Sequence, residues 1–288
     1  MIAAVSQLIL NGLTRRGDVL SKEKSPDGHD AILGAPPPPN CVAPRPYLVA
    51  LAGPGGSGKS TLAQRVKSHL EGALSRVAVH VLPMDGYHYS RHHLRTRMPD
   101  PELAFRRRGA EWTFDAERFA RDIATLSTTG HLSAPAFDHQ EGDPREGAIE
   151  IESATRPSFS PAKDVRHREV GDPTSDGLGA TEVEPHSPSV VPFSTVVVIV
   201  EGLYVLLGDR PHWRDALEHF DLRLLLAAPL EVTTERLVRR HMAAWNISRD
   251  EAVARASGSD AENALLVATV SPQFAHSIVD VSEECTMT

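Results

Sequence analysis

Apolar residues follow two alternating patterns along the chain. Short aliphatic runs occupy residues 47–52, 77–82, 196–200 and 222–227. Short runs of aliphatic and β-branched residues are typical of parallel strands that are buried on both faces. Between the runs, apolar residues recur at helical spacing, as they do from Leu62 to Ala73. This alternation predicts an α/β fold in which helices flank a parallel sheet. A weaker strand pattern at 148–151 is consistent with one arm of a hairpin.

Two proline-rich segments interrupt the pattern. Residues 18–46 hold seven of the 22 prolines and residues 152–194 hold six. Neither segment has helical or strand periodicity, so neither buries enough apolar surface to offset the entropy of ordering. We therefore predict a helix at 1–17, a linker at 18–46, one domain at 47–280 with an insertion at 152–194, and a tail at 281–288. Two interpretations of the insertion stay open, a surface loop and an artefact of the gene model.

Composition and charge narrow the classes of partner. The 288 residues carry 30 lysines and arginines against 38 aspartates and glutamates, a net charge of −8. This sign disfavours nucleic-acid binding through general phosphate neutralisation, and no run reaches the roughly 18 apolar residues of a membrane span. Cys41 and Cys285 are too few for a disulfide framework. A cytoplasmic location is expected, with mitochondrial import through the basic N-terminus as the alternative.

A glycine-rich motif joins the first predicted strand to the first predicted helix. It reads GPGGSGKS and fits G-x-x-x-x-G-K-[ST] at every required position. Its glycines let backbone N–H groups surround a phosphate, its lysine reaches the β- and γ-phosphates, and its final hydroxyl ligates Mg²⁺. The alternative is a turn that binds nothing. We predict a P-loop NTPase fold in which the nucleotide contacts Gly53, Pro54, Gly55, Gly56, Ser57, Gly58, Lys59, Ser60 and Thr61.

Two acidic residues follow two other predicted strands. Asp85 comes shortly after the strand at 77–82, and Glu201 comes directly after the strand at 196–200. Ligands of open α/β sheets bind at the carboxyl ends of the strands. A carboxylate at the position of Asp85 is suited to accept the proton of an attacking hydroxyl. The alternatives are a turn-forming Asp-Gly pair and a strand that ends where solvent begins.

An ordered set of motifs carries a family resemblance. The motifs are GPGGSGKST, MDGYHY, RRRGAEWTFD, PAFDHQEGDP, VVVIVEGLYVLL and ERLVRRH, within residues 47–151 and 195–280. The set resembles the superfamily of P-loop kinases that contains uridine kinase, phosphoribulokinase and bacterial pantothenate kinase. It is nearest the fungal and bacterial members described as nucleoside-triphosphate-hydrolase-like or sugar-transport kinases. The resemblance implies phosphoryl transfer from ATP, with Mg²⁺, to a hydroxyl of a small metabolite of the nucleoside, vitamin-precursor or sugar class.

The resemblance also implies roles for single residues of the nucleotide site. Asp85 is the expected general base, and Glu201 and Ser60 are the expected Mg²⁺ ligands. Lys59 is expected to stabilise the charge of the transferred phosphoryl group.

A cluster of three arginines is expected to form part of a lid helix. Arg236, Arg239 and Arg240 in ERLVRRH share one face of a helix because they are three or four positions apart. The resemblance implies that Arg236 and Arg240 act in catalysis and that Arg239 contacts the nucleotide, since closing cations stabilise the transferred group. The alternative is a basic face in contact with solvent.

The acceptor site is expected in three of the motifs. The resemblance assigns acceptor contacts to His88, Arg108, Asp138, His139 and Arg145. The form F-D-H at 137–139 departs from the Y-D-F-x-x-H-x-R of uridine kinases, so uridine itself is not implied. Asn263, in DAENALLV, is expected either near the nucleotide base or at a turn.

Two other functions fit parts of the sequence. One is a regulatory or scaffold protein that hydrolyses ATP slowly and binds partners through its proline-rich segments. The other is a GTPase, which is less well supported because the chain has no N-K-x-D motif. If the protein is a kinase, its expected partner is a small-molecule acceptor, and a homodimer is a candidate assembly. Neither nucleic acid nor a membrane is expected as a partner.

Overall fold

The computed structural model describes residues 1–16, 45–74, 77–153 and 195–281. The predicted linker at 18–46, the insertion at 152–194 and the tail at 281–288 lie almost entirely outside these residues. Their assignments therefore stay predictions.

The described strands form two sheets. In chain order they are β1 (Tyr47–Ala52), β2 (Val77–Pro83), β3 (His131–Asp138), β4 (Asp143–Glu152), β5 (Thr195–Gly202), β6 (Leu222–Ala227) and β7 (Ser277–Asp280). A five-stranded parallel sheet has the order β2-β5-β1-β6-β7, and β3 pairs with β4 as an antiparallel hairpin. The predicted parallel sheet is confirmed. Every residue of β1 and β5 is buried, which explains why β1 and the central part of β5, residues 196–200, are apolar.

Helices cover the parallel sheet and extend beyond one end of it. In chain order they are α1 (Ile2–Arg16), α2 (Lys59–Ala73), α3 (Arg91–Thr96), α4 (Pro101–Arg106), α5 (Ala116–Thr129), α6 (Pro211–Leu217), α7 (Leu230–Trp245), α8 (Arg249–Arg255) and α9 (Ala261–Val270). Within the part of the chain that the structure describes, no helix has both the length and the apolar character to cross a membrane.

The core lies in two layers, one on each face of the parallel sheet. Alternate side chains of a strand point to opposite faces. Val49 of β1 therefore packs in one cluster with apolar residues of α1 and α2, whereas Leu48 packs in another with residues of α5 and α6. A separate small cluster joins α7 to α8 through Leu237, Val238 and Ala252. This cluster holds α7 and α8 against each other.

The N-terminal helix α1 belongs to the first of these layers. Its residues Val5, Ile9 and Leu13 are buried against the sheet and α2. At its end the guanidinium of Arg16 lies 5.2 Å from the centre of the Tyr47 ring. Helix α1 is thus an integral part of the core.

The amino ends of the parallel strands form one edge of the sheet and their carboxyl ends form the other. Different segments of the chain lie beside these two edges. Thr195 begins β5 at the amino edge, where it pairs with Val77 at the start of β2. Ser153 follows β4, and its N–H donates to the carbonyl of Gly130 at 2.7 Å. A Cβ added at Gly130 would lie 3.8 Å from Pro46, which directly precedes β1, so Ser153 lies near the amino edge as well. The predicted functional motifs follow the opposite, carboxyl edge.

Candidate active site

The glycine-rich motif forms the turn between β1 and α2. Gly56 and Gly58 have φ angles of 76° and 93°, in the left-handed region that favours glycine. A Cβ added at Gly56 would lie 2.6 Å from the carbonyl oxygen of Thr233, so a side chain does not fit there. The backbone N–H groups of such a turn and the N-terminus of the 15-residue α2 together attract an anion.

Lys59 is a buried cation at the first position of α2. Its side chain is only 7% exposed, and its Nζ donates to the carbonyl of Pro54 at 2.9 Å. Burial lowers the pKa of Lys59, and the carboxylates of Glu201 and Asp85 partly reverse this effect. An ammonium group has three donors. The N–H donors of Lys59 that do not bond to Pro54 are suited to phosphate oxygens.

Glu201 lies at the end of β5, directly beside the phosphate turn. It pairs in register with Leu51 of β1 and Pro83 of β2. The hydroxyl of Ser60 donates to its Oε1 at 2.7 Å. Burial raises the pKa of Glu201, whereas Lys59 and the hydrogen bond from Ser60 lower it. A carboxylate and a hydroxyl in contact are two oxygen donors of the kind that Mg²⁺ binds.

The turn that carries Asp85 packs between β5 and the hairpin. Residues Met84–Tyr87 form one turn of 3₁₀ helix directly after β2. A Cβ added at Gly86 would overlap the carbonyl oxygen of Pro135 in β3, and one added at Gly202 would overlap Met84. The Asp-Gly pair is therefore more than a local turn, because glycine is needed for the close approach of β3. Asp85 itself is half-buried.

His88 is locked to the same turn. Its Nδ1 lies 2.8 Å from the carbonyl oxygen of Asp85. Because a carbonyl only accepts, Nδ1 carries the proton, and Nε2 of the neutral ring is an acceptor. Burial lowers the pKa of His88, with Asp85 acting in the opposite direction. The ring centre lies 3.9 Å from that of Phe114 and 4.9 Å from that of Phe137.

Helix α7 lies on the phosphate turn, as expected for the predicted lid. Arg236 donates through Nη1 to the carbonyl of Gly56 at 3.4 Å. Leu237 lies against the same turn, 3.4 Å from where a Cβ of Gly55 would be. Arg240 is exposed on the same helix, and its charge contributes to lowering the pKa of Lys59.

The third arginine of the cluster has a different partner. The Nε of Arg239 donates to Glu235 Oε1 at 3.0 Å, and its side chain is 76% exposed. The structure thus places Arg236 beside the phosphate turn and Arg239 in an ion pair on the surface of α7. A nucleotide contact by Arg239 stays a prediction.

The hairpin carries three of the residues predicted to contact an acceptor. Asp138 closes the turn after β3, since its Oδ1 accepts from the N–H groups of Gln140 and Glu141 at 2.8 and 3.0 Å. These two bonds lower the pKa of the Asp138 carboxyl. His139 and Arg145 are exposed beside it. The acceptor roles of these residues stay predictions.

Two predicted residues have contacts that the sequence did not reveal. The guanidinium of Arg108 binds three oxygens of the protein, from Tyr89, Gly142 and Asp143. Asn263 donates to the carbonyl of Gly109 at 3.1 Å. Of the two interpretations of Asn263, the structure therefore favours the one in which it holds a turn.

One residue of this region was missed in the sequence. The hydroxyl of Tyr204 donates to the same carbonyl of Gly109 at 2.7 Å. No spacing signal identifies Tyr204, because its partner is 95 positions away in the chain.

Similarity to known proteins agrees with this geometry. No protein family model matches the chain. A Schizosaccharomyces pombe protein named "Putative uridine kinase C227.14" is 31% identical over 223 residues, which cover 76% of this chain and 77% of that protein. The crystal structure of a putative fructose transport system kinase from Silicibacter sp. TM1040 superimposes with a TM-score of 0.65 at 27% identity, over 97% of this chain and 98% of that one.

A second solved structure supports the fold alone. YFH7 from Saccharomyces cerevisiae, described as a putative P-loop containing kinase with a circular permutation, superimposes with a TM-score of 0.63 at 16% identity, over 98% of both chains. Lys59, Ser60, Glu201 and Asp85 all follow or end strands at the carboxyl edge of the parallel sheet. The identity and coverage of the fission-yeast relative show that the chain belongs to the family of P-loop kinases related to uridine kinase.

Proposed function

We propose that the protein transfers the γ-phosphoryl group of ATP to a hydroxyl group of a small metabolite. The observation that carries this proposal is the position of Asp85 in the turn directly after β2, whose last residue Pro83 pairs with Glu201 beside the phosphate turn. Binding of MgATP alone accounts for the phosphate turn and for Glu201, but it needs no second carboxylate such as Asp85. Acceptor activation gives that carboxylate a purpose.

The side chains at the turn fit MgATP. The glycine turn and Lys59 would hold the phosphates, and the Ser60 hydroxyl with the Glu201 carboxylate, 2.7 Å apart, would hold Mg²⁺ directly or through water. When bound, MgATP supplies the phosphoryl group and part of the positive charge that balances it.

The chain's own residues then have separate tasks. Asp85 accepts the proton of the acceptor hydroxyl while the hydroxyl oxygen bonds to the γ-phosphorus and the bond from that phosphorus to ADP breaks. Lys59 and the lid residues Arg236 and Arg240 stabilise the negative charge on the transferred group. His88 presents Nε2 as a hydrogen-bond acceptor beside the base, with its ring packed against those of Phe114 and Phe137. No covalent intermediate with the protein is needed.

The test replaces the base. An ADP-release screen with nucleosides, pantothenate, pentoses and sugar phosphates first identifies the acceptor of the unaltered chain. We expect Asp85→Asn to lower acceptor-dependent ADP release by about 10²- to 10⁴-fold, the usual contribution of general base catalysis. Binding of MgATP, measured by calorimetry, should change by less than about twofold, because Asp85 is not a phosphate ligand.

The matched control is Asp215→Asn, which removes an exposed carboxylate of α6. This control should retain full activity. Equal turnover by the Asp85→Asn variant contradicts the assignment of the base. Tight MgATP binding by the unaltered chain without turnover on any acceptor contradicts the kinase proposal and favours the regulatory alternative.

A further inference from the structure

The hairpin of β3 and β4 touches the turn that carries Asp85. The backbone of β3 passes Gly86 so closely that a side chain there would overlap Pro135. On the other side of the turn, the rings of His88 and Phe137 lie 4.9 Å apart. Because of these contacts, a shift of the hairpin would move its tip, with Asp138 and His139, relative to the proposed base.

One guanidinium fastens the tip of this hairpin to the chain that follows Asp85. Arg108 donates to the carbonyl of Gly142 at 2.5 Å, to Asp143 Oδ1 at 2.8 Å and to the carbonyl of Tyr89 at 3.1 Å. The same Oδ1 of Asp143 accepts from the N–H of Arg91 at 2.8 Å. Arg108 and Asp143 thus connect three segments that are distant in sequence.

The surroundings of Arg108 leave little room for a contact with an acceptor. Its side chain is 15% exposed, and its guanidinium carbon lies 5.5 Å from the centre of the Phe137 ring. Burial lowers the pKa of Arg108, whereas the hydrogen bond to Asp143 raises it. A cation so enclosed is oriented by the protein itself. A lysine would not replace it, because only the planar fork of arginine reaches several acceptors at fixed angles.

We propose that Arg108 is a positioning residue that acts through Asp143 and Gly142 to hold the hairpin against the Asp85 turn. This inference rests on the proposed function, because binding of an acceptor at the hairpin tip is part of that function. It replaces the sequence-based expectation that Arg108 contacts the acceptor itself. Loss of either partner releases the tip and weakens acceptor binding without affecting the nucleotide.

The first test measures the hairpin without any acceptor. Hydrogen–deuterium exchange is followed for the full chain and for variants Arg108→Lys and Asp143→Asn, with Arg97→Lys as the control because Arg97 is exposed. We expect exchange at residues 138–145 to be about 10-fold faster in both variants, and unchanged in the control and in the phosphate turn. Unchanged exchange in Arg108→Lys overturns the proposal, whether or not an acceptor is known.

The second test separates positioning from direct contact. With the acceptor found in the screen, Arg108→Lys and Asp143→Asn should both raise KM about 10-fold or more, with a smaller change in kcat and unchanged calorimetric affinity for MgATP. If Arg108 bound the acceptor directly, Arg108→Lys would raise KM whereas Asp143→Asn would not, and this result overturns the proposal. Asp143→Asn keeps the shape of its side chain and serves alone if the arginine variant does not fold.

Discussion

At the scale of single residues, replacement of glycine by alanine is expected to have opposite effects on stability at two positions. A Cβ at Gly86 would overlap the backbone of β3, whereas one at Gly72 on α2 would meet nothing within 4 Å. We expect Gly86→Ala to destabilise the protein by about 1–3 kcal/mol, because the packed backbone must shift. Gly72→Ala should stabilise it by about 0.5–1 kcal/mol, since alanine favours a helix.

Both values are measured as free energies of unfolding in urea. Equal effects of the two substitutions would contradict the close approach of β3 to the Asp85 turn. The Asp-Gly pair alone does not reveal this constraint, because such pairs occur in many turns. The sequence could predict the phosphate turn, because its chemistry is local and its spacing is fixed. It could not predict the partners of Arg108 or Asn263, since these depend on segments that meet only after folding.

At the scale of elements, helix α1 is expected to support the whole domain. Ile9 is fully buried between the sheet and α2. Ile9→Ala should lower the free energy of unfolding by about 2–5 kcal/mol, through lost burial and the cavity that remains. Gln7→Ala, at an exposed position of the same helix, should change it by less than about 0.5 kcal/mol. A small effect of Ile9→Ala would show that α1 is not part of the cooperative unit.

The elements differ in how far their sequences predict them. The sequence predicts β1 and β6 with the bounds that they have, because β1 is apolar and buried throughout and β6 is interrupted only by Arg223. Strand β3 alternates buried and exposed residues and contains Pro135, and β7 has four residues, so neither gives a clear signal. The weak pattern at 148–151 proved to be the end of a longer strand, β4.

At the scale of the whole molecule, binding at the phosphate turn is expected to stabilise the complete fold. The turn is continuous with β1 at the centre of the sheet and is covered by α7. MgATP at about 100 times its Kd should add about 2.7 kcal/mol of stability, which raises Tm by several degrees in a domain of this size. Lys59→Ala should lose most of this shift, whereas Arg65→Ala, at an exposed position of α2, should keep it. An equal shift in both variants would contradict a phosphate contact by Lys59.

The two edges of the parallel sheet, formed by the amino and the carboxyl ends of its strands, also differ in which residues lie beside them. Ser153 and Thr195 lie near the amino edge, whereas Asp85 and Glu201 lie at the carboxyl edge. Strand β5 has eight residues. The steps between them, at about 3.3 Å each, separate the two edges by roughly 23 Å. The chain therefore leaves and re-enters the described structure at the edge opposite Asp85 and Glu201, so a change of length between Ser153 and Thr195 is expected to leave these two residues in place. The same site is the natural place to insert a reporter domain into this kinase-like scaffold.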